Sequence, residues 1–129
     1  MRELFFITKP LALKIHQQQI ERFGGMSGMR DNALLESALG AAQQTWDYTQ
    51  CVYESAAQYC YSITHNHPFL DGNKRTATAC MLVFLVKNGI QPTFTNRLLY
   101  DSIILVTTNK MPRIELANLL KQHSKTITS

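Results

Sequence analysis

Residues 67–88 read HPFLDGNKRTATACMLVFLVKN, and this stretch predicts the centre of the fold. Its second part, Asn73–Asn88, is apolar on nearly every face of a helix, a pattern typical of a helix buried among other helices. Its first part, residues 67–75, combines an imidazole, a carboxylate, a side-chain amide, an ammonium and a guanidinium. Such polar groups at the first turn of a buried helix indicate an anion-binding site.

Amphipathic segments on both sides of this stretch indicate further helices. Their expected starts are near Thr8, Asp31, Glu54, Thr95 and Pro112. Gly24-Gly25 and Gly40 are expected to end the first two. No series of alternating apolar and polar residues indicates a sheet. We therefore predict an all-α fold, a compact bundle of roughly five to seven helices around the central one.

The segment Gln43–Tyr53 is predicted to be irregular or to form a short extended stretch. Its aromatic and β-branched side chains include Trp46, Tyr48, Val52 and Tyr53. These side chains can cover the edge of the core as part of a loop. They can also form an exposed edge that pairs with a partner peptide by strand addition. The sequence pattern leaves both interpretations open.

Length and composition predict a single domain over residues 1–129, with a frayed polar tail at residues 124–129. The chain is 45% hydrophobic and 17% charged, which argues against disorder. Its net charge of +4 comes with scattered Lys and Arg residues, so we expect no direct contact with nucleic acid. The longest apolar run, Ala79–Val86, is far too short to span a membrane.

The three cysteines are an odd number without the CxxC spacing of metal sites. They predict reduced side chains and, with them, a cytoplasmic protein. His65 and His67 could together bind a metal ion, but no third ligand follows at a suitable spacing. His16 is the lone histidine of its predicted helix, which favours a packing role.

The residues at the start of the central helix suit a polyphosphate. Gly72 lets the backbone approach a ligand closely, and Asn73 can donate its side-chain amide to phosphate oxygens. Lys74 and Arg75 supply positive charge, the second as a fork that matches phosphate geometry. Asp71 is a suitable ligand for Mg²⁺, which prefers one or two carboxylates together with phosphates.

His67 precedes this helix by six residues and could take the proton from an attacking hydroxyl group. Phosphoryl transfer requires little beyond positioning and charge neutralisation. The P-loop pattern GxxxxGK[ST] is absent from the sequence. A solvated helix N-terminus with a capping histidine fits the spacing equally well, because each single element is common.

The run from His67 to Arg75 resembles the signature of the Fic/Doc family, HxFx[DN][AG]N[GK]R, at every specified position. Residues 15–38 also resemble the N-terminal half of death-on-curing (Doc) proteins. The similar residues there are Ile15-His16, Ile20, Phe23-Gly24-Gly25, Gly28, Arg30-Asp31 and Leu34–Ala38. The resemblance covers about residues 8 to 122.

This resemblance implies a helical Fic fold and a transferase that uses ATP and Mg²⁺ on a protein hydroxyl. His67 would be the general base, Asp71 the Mg²⁺ ligand and Phe69 the anchor of the motif in the core. The phosphates would be held by Gly72, Asn73, Lys74 and Arg75. The expected flap before the motif, which docks the target, would contain Trp46, Tyr48, Val52 and Tyr53.

The transferred group is indicated by two positions. AMP-transferring Fic proteins resemble HPFxxGNGRxxR, whereas this chain has Lys74 and Thr78 where that pattern has Gly and a second Arg. Similarity to the Doc pattern implies transfer of the γ-phosphate instead. The alternatives are adenylylation, transfer of another phosphate-containing group such as phosphocholine, and a catalytically idle module that acts by binding its partner.

Resemblance to Doc proteins further implies the toxin of a toxin–antitoxin pair, which phosphorylates a threonine of elongation factor Tu and arrests translation. Many Fic proteins carry an inhibitory helix with the motif [ST]xxxE[GN], and this sequence has none. The inhibitory amphipathic helix is therefore expected from a separate antitoxin.

Overall fold

The computed structural model describes residues 3–127, and within them it contains six α-helices and one small sheet. The helices are α1 (Lys9–Phe23), α2 (Asn32–Thr49), α3 (Val52–Asn66), α4 (Asn73–Lys87), α5 (Asn96–Thr107) and α6 (Arg113–Gln122). The strands are β1 (Ile90–Pro92) and β2 (Ser124–Thr126). The all-α prediction and the predicted number of helices are confirmed. No helix within residues 3–127 has the length and apolar character needed to cross a membrane.

Side-chain caps explain three of the helix starts that the sequence predicts. The hydroxyl of Thr8 accepts a hydrogen bond from the Leu11 N–H at 3.4 Å, and α1 follows it. Asp31 and Thr95 cap α2 and α5 in the same way, with distances of 3.0 and 3.1 Å. Each such cap contributes about 1 kcal/mol to helix stability because it satisfies a free N–H of the first turn.

The core forms where α3 packs against α2, α4 and α6. Phe84 of α4 is fully buried there, and its ring lies 5.9 Å from that of Phe6 and 5.1 Å from that of Tyr59. The Ile7 N–H donates to the Tyr59 hydroxyl at 2.8 Å, which fixes the N-terminal segment over the core. Helix α4 therefore packs into the core as predicted, but α3 is the helix that contacts most of the others.

The prediction of an irregular or short extended segment over residues 43–53 is wrong. Helix α2 continues through Gly40 to Thr49, and only Gln50 and Cys51 separate it from α3. A glycine inside a helix costs about 1 kcal/mol relative to alanine. Burial of Ala38 and Ala42 on the face of α2 outweighs this cost, so the helix does not end at Gly40.

The tail also differs from the frayed segment that the sequence predicts. Ser124–Thr126 pair with β1 in an antiparallel register that places Ile90 opposite Thr126. The Ile127 N–H extends the pairing by donating to the Gly89 carbonyl at 2.7 Å. Backbone pairing of this kind depends on residues more than 30 positions apart and leaves no local pattern. Residues 128 and 129 lie outside the described part of the chain.

Candidate functional site

An open cleft of about 1250 Å³ lies between the N-terminal end of α4 and helix α5. One side is formed by the predicted site residues and the last turns of α1. The predicted residues that line it are His67, Asp71, Gly72, Asn73, Lys74 and Arg75. The opposite side, from α5, consists of Asn96, Leu99, Tyr100, Ile103, Ile104 and Thr107. The structure therefore brings the predicted catalytic and phosphate-binding residues together in one cleft.

The loop before α4 is held by a reciprocal pair of hydrogen bonds. The Phe69 N–H donates to Asn73 Oδ1, and Asn73 Nδ2 donates to the Phe69 carbonyl, both at 3.0 Å. Phe69, the predicted anchor of the motif, is 1% exposed. The Asn73 amide thus holds the loop, and only its second N–H is left for a ligand.

A second segment supports the same loop from the outside. The Leu70 N–H donates to the Gly28 carbonyl at 3.1 Å. The Pro68 carbonyl accepts from the N–H groups of Arg30 and Asp31, at 2.7 and 3.0 Å. These bonds join residues 28–31 to residues 68–70 as a short antiparallel ladder, so the loop is framed on both sides.

His67 combines a fixed backbone with a free ring. It ends α3 in the left-handed region, with φ 50°, and its N–H donates to Ile63. Arg30 donates from Nε to the His67 carbonyl at 2.6 Å and from Nη2 to the Asn66 carbonyl at 2.7 Å. The imidazole itself is exposed in the cleft, and no hydrogen bond to it occurs within residues 3–127. Its nitrogens are therefore available to a substrate.

His16 has the packing role that its isolation in the sequence predicts. It is 4% exposed, and its ring stacks on that of Phe69 with centroids 3.9 Å apart. Its Nε2 lies 2.8 Å from the Asp71 carbonyl oxygen. Because a carbonyl only accepts, this nitrogen carries the proton and donates it. The buried imidazole thereby sets the path of the backbone that carries the Asp71 carboxylate.

The Asp71 carboxylate is exposed and receives two backbone donors. Oδ2 accepts from the Met26 N–H at 3.1 Å, and Oδ1 accepts from the Gly72 N–H at 2.8 Å. These hydrogen bonds, with a smaller contribution from the Arg75 guanidinium, hold the pKa of Asp71 below its ordinary value. A carboxylate that stays ionised suits Mg²⁺, which needs few protein ligands when phosphate oxygens and water complete its shell. Within residues 3–127, no group of three or more His, Cys, Asp or Glu side chains is arranged so that it could hold a metal ion.

The cations of the cleft differ in how they are held. Lys74 is exposed and makes no side-chain hydrogen bond within residues 3–127. Arg75 donates from Nη2 to the Gly24 carbonyl at 3.0 Å and from Nη1 to Gln19 at 3.5 Å. It therefore rests against the end of α1. A third cation, Arg22, also lines the cleft, so positive charge exceeds negative charge there and favours an anion.

The predicted flap residues lie apart from this cleft. Trp46 and Tyr48 belong to the last turns of α2, and Val52 and Tyr53 to the first turn of α3. Tyr48 is 93% exposed and lines a separate small pocket of about 320 Å³ beside Arg113. None of the four flap residues is among those that line the large cleft.

Arg30 and His16 support the site although sequence reasoning assigns neither of them a role in it. Their contacts cross 37 and 55 positions of the chain, so no spacing within the motif points to them. Only the resemblance of residues 15–38 to the N-terminal half of Doc proteins marks this region as connected with the motif.

Comparison with known proteins identifies the family of the chain. The model of the Fic/DOC family matches residues 6–85. The chain is 31% identical over 112 residues to "Protein kinase doc" of Escherichia phage P1, covering 85% of this chain and 88% of that protein. It is 40% identical over 72 residues to "Toxin Doc" of Mycolicibacterium smegmatis, covering 54% of this chain and 55% of that protein. The chain belongs to the Fic/Doc family.

Proposed function

We propose that this protein is a Doc-like toxin that transfers the γ-phosphate of ATP to a hydroxyl group of a target protein. The observation that carries the proposal is the run Asn73-Lys74-Arg75 at the start of α4, in the same cleft as His67 and Asp71. The names of the two relatives, a kinase and a toxin, support the same reading.

The reaction assigned to the cleft is an in-line displacement at the γ-phosphorus. The imidazole of His67 accepts the proton of the target hydroxyl, whose oxygen forms the new bond to phosphorus. The bond between the γ-phosphorus and the bridging oxygen breaks, and ADP leaves with the electron pair. The anchored backbone of His67 holds the free ring at the cleft, which lowers the entropy cost of this proton transfer.

The charged residues contribute electrostatic stabilisation. Asp71 is the residue that would hold Mg²⁺, and the ion would neutralise charge on the phosphates when bound. The first turn of α4, with Lys74, lines the same cleft, and its N–H groups and the Lys74 ammonium would bind phosphate oxygens there. The Gly24 and Gln19 carbonyls use two of the five N–H donors of the Arg75 guanidinium, which leaves the other three for phosphate oxygens.

Position 78 favours phosphoryl transfer over adenylylation. AMP-transferring Fic proteins resemble a pattern with Arg at this position, whereas Thr78 carries no charge and donates its hydroxyl to the Lys74 carbonyl at 2.9 Å. The positive charge is concentrated instead at Lys74 and Arg75, beside the helix N-terminus. Adenylylation, with pyrophosphate as the leaving group, is the alternative that the experiment below separates.

The target and the regulator follow from the resemblance to Doc toxins. A threonine of elongation factor Tu is the proposed acceptor, which places the protein in the cytoplasm and explains arrest of translation. Exposed Tyr48, with its neighbours Trp46, Val52 and Tyr53, is the proposed docking surface for this target. A separate antitoxin would supply an amphipathic helix, for which the cleft offers an apolar wall on α5 and a charged wall at the motif.

The deciding experiment follows the labelled phosphate. The protein is incubated with elongation factor Tu and with ATP labelled at the α or the γ position. Transfer from γ-labelled ATP alone supports the proposal, and transfer from α-labelled ATP alone overturns it in favour of adenylylation. His67→Ala is the matched control. The same variant is also produced in cells. Growth arrest that persists with His67→Ala would favour a catalytically idle module that acts by binding its partner.

A further inference from the structure

The turn that follows α1 contacts two charged residues of the motif, Asp71 and Arg75, through the three consecutive positions 24–26. The Gly24 carbonyl accepts from Arg75 Nη2 at 3.0 Å, and the Met26 N–H donates to Asp71 Oδ2 at 3.1 Å. Between them, Gly25 lies against the side chains of Asp71 and Arg75. The turn therefore offers an N–H donor to the Asp71 carboxylate and a carbonyl acceptor to the Arg75 guanidinium.

Gly25 is the position that allows this approach. Its φ is +118°, and a Cβ there would lie 2.7 Å from Asp71 Oδ2 and 3.2 Å from both Arg75 Nη2 and Ile20 Cδ1. The distance of 2.7 Å to Asp71 Oδ2 is shorter than real Cβ contacts, so either the turn or the carboxylate would have to move. Because the neighbour is the end of the carboxylate, we expect Asp71 to lose its bond from Met26.

Core packing does not explain the turn, since residues 24–28 are all exposed. Met26 is 62% exposed, and the preceding Phe23 is 61% exposed. The described hydrogen bonds of residues 24–26 outside α1 go to Asp71 and Arg75. The closest contact of a Cβ at Gly25 is with the Asp71 carboxylate and not with the buried Ile20 side chain, so a substitution there should act first on the charged side chain.

We infer that Gly24–Met26 is a positioning element of the catalytic site, in which Gly25 allows the Met26 N–H to hold the Asp71 carboxylate and the Gly24 carbonyl to hold Arg75. The inference rests on the proposed function, in which Asp71 binds Mg²⁺ and Arg75 binds phosphate. Partners that orient a metal ligand in this way typically affect metal affinity or activity by about 10- to 100-fold.

Gly25→Ala and its control Gly89→Ala test the inference. Gly89 also has a left-handed backbone, with φ +82°, but it is not among the residues that line the cleft. Binding of ATP is measured calorimetrically at increasing Mg²⁺ concentrations. We expect Gly25→Ala to raise the Mg²⁺ concentration needed for half-maximal binding by about 10-fold or more. Gly89→Ala should leave it unchanged, and equal behaviour of the two variants overturns the inference.

If Gly25→Ala is poorly folded, thermal unfolding of the double variant Gly25→Ala/Asp71→Ala still tests the inference. Removing the carboxylate with Asp71→Ala removes the 2.7 Å contact. The loss of Tm caused by Gly25→Ala should then be smaller in the Asp71→Ala background than in the wild-type protein. An equal loss in both backgrounds contradicts the inference. Absence of Mg²⁺-dependent ATP binding in the wild-type protein contradicts the proposed function instead, while the Tm comparison still tests the contact.

Discussion

The imidazole of His16 stacks on the ring of Phe69, with the two planes only 5° apart, while its Nε2 donates to the Asp71 carbonyl at 2.8 Å. One buried side chain of α1 therefore contacts both the anchor of the motif loop and the residue that carries its carboxylate. Removal of this imidazole should therefore disturb both the packing around Phe69 and the backbone of the motif.

Substitution of His16 separates these two contacts. His16→Phe retains an aromatic ring against Phe69 but leaves the Asp71 carbonyl without its donor, which should cost about 1–3 kcal/mol of unfolding free energy. His16→Ala loses the packing as well and should cost about 3 kcal/mol or more. Urea unfolding measures both values. Equal losses in the two variants would show that the stacked ring contributes nothing.

Removal of the Asn73 amide tests the reciprocal bonds that close the motif loop. Asn73→Ala leaves the buried N–H of Phe69 without its acceptor and the Phe69 carbonyl without this donor, at a cost of about 1–3 kcal/mol for each group. Asn32→Ala is the control, since its side chain makes only an exposed contact of 3.4 Å with Glu36. Urea unfolding should show a much larger loss for Asn73→Ala.

Arg30 is expected to affect turnover more than nucleotide binding. Arg30→Ala removes both donors from the carbonyls of Asn66 and His67, so the backbone of His67, the proposed general base, loses its anchor. Small displacements of a catalytic group can lower rates by about 100-fold. We expect kcat to fall by about 10- to 100-fold with little change in ATP affinity. Arg97→Ala, which breaks only an exposed pair with Asp101, serves as the control.

The lowered pKa of Asp71 predicts a pH dependence of stability. A carboxylate with a depressed folded-state pKa stabilises the fold fully above its ordinary pKa, here 3.8, and this contribution is lost as pH falls through the lower folded value. The stability difference between the wild-type protein and Asp71→Asn should therefore shrink only in that acidic range. Tm values between about pH 2 and pH 7 measure it. A difference that vanishes already near neutral pH would contradict the lowered pKa.

Gly40 offers a stabilising change away from the cleft. It lies inside α2, and a Cβ there would meet no atom within 4 Å. Gly40→Ala should raise the unfolding free energy by about 0.5–1 kcal/mol, because alanine loses less backbone entropy in a helix. Gly24→Ala is the informative comparison, since its Cβ would also meet no atom but its φ of +84° strains any L-residue. That variant should be destabilised, and both are measured by urea unfolding.

Local sequence patterns determined the helical class, the buried position of α4 and the caps at Thr8, Asp31 and Thr95, because each depends on residues within a few positions of one another. The nine residues from His67 to Arg75 likewise determined which chemical groups the cleft contains. Resemblance of this motif to the Fic/Doc signature, confirmed by the family match, identified the family.

Only the tertiary structure decided how those groups are held. Helix α2 passes through Gly40 because its buried alanines pack in the core, which outweighs the local preference for a helix end. Arg30, His16 and Met26 reach the motif across 37, 55 and 45 positions of the chain. Contacts at such separations follow from the packing of whole helices, so no local spacing in the sequence encodes them.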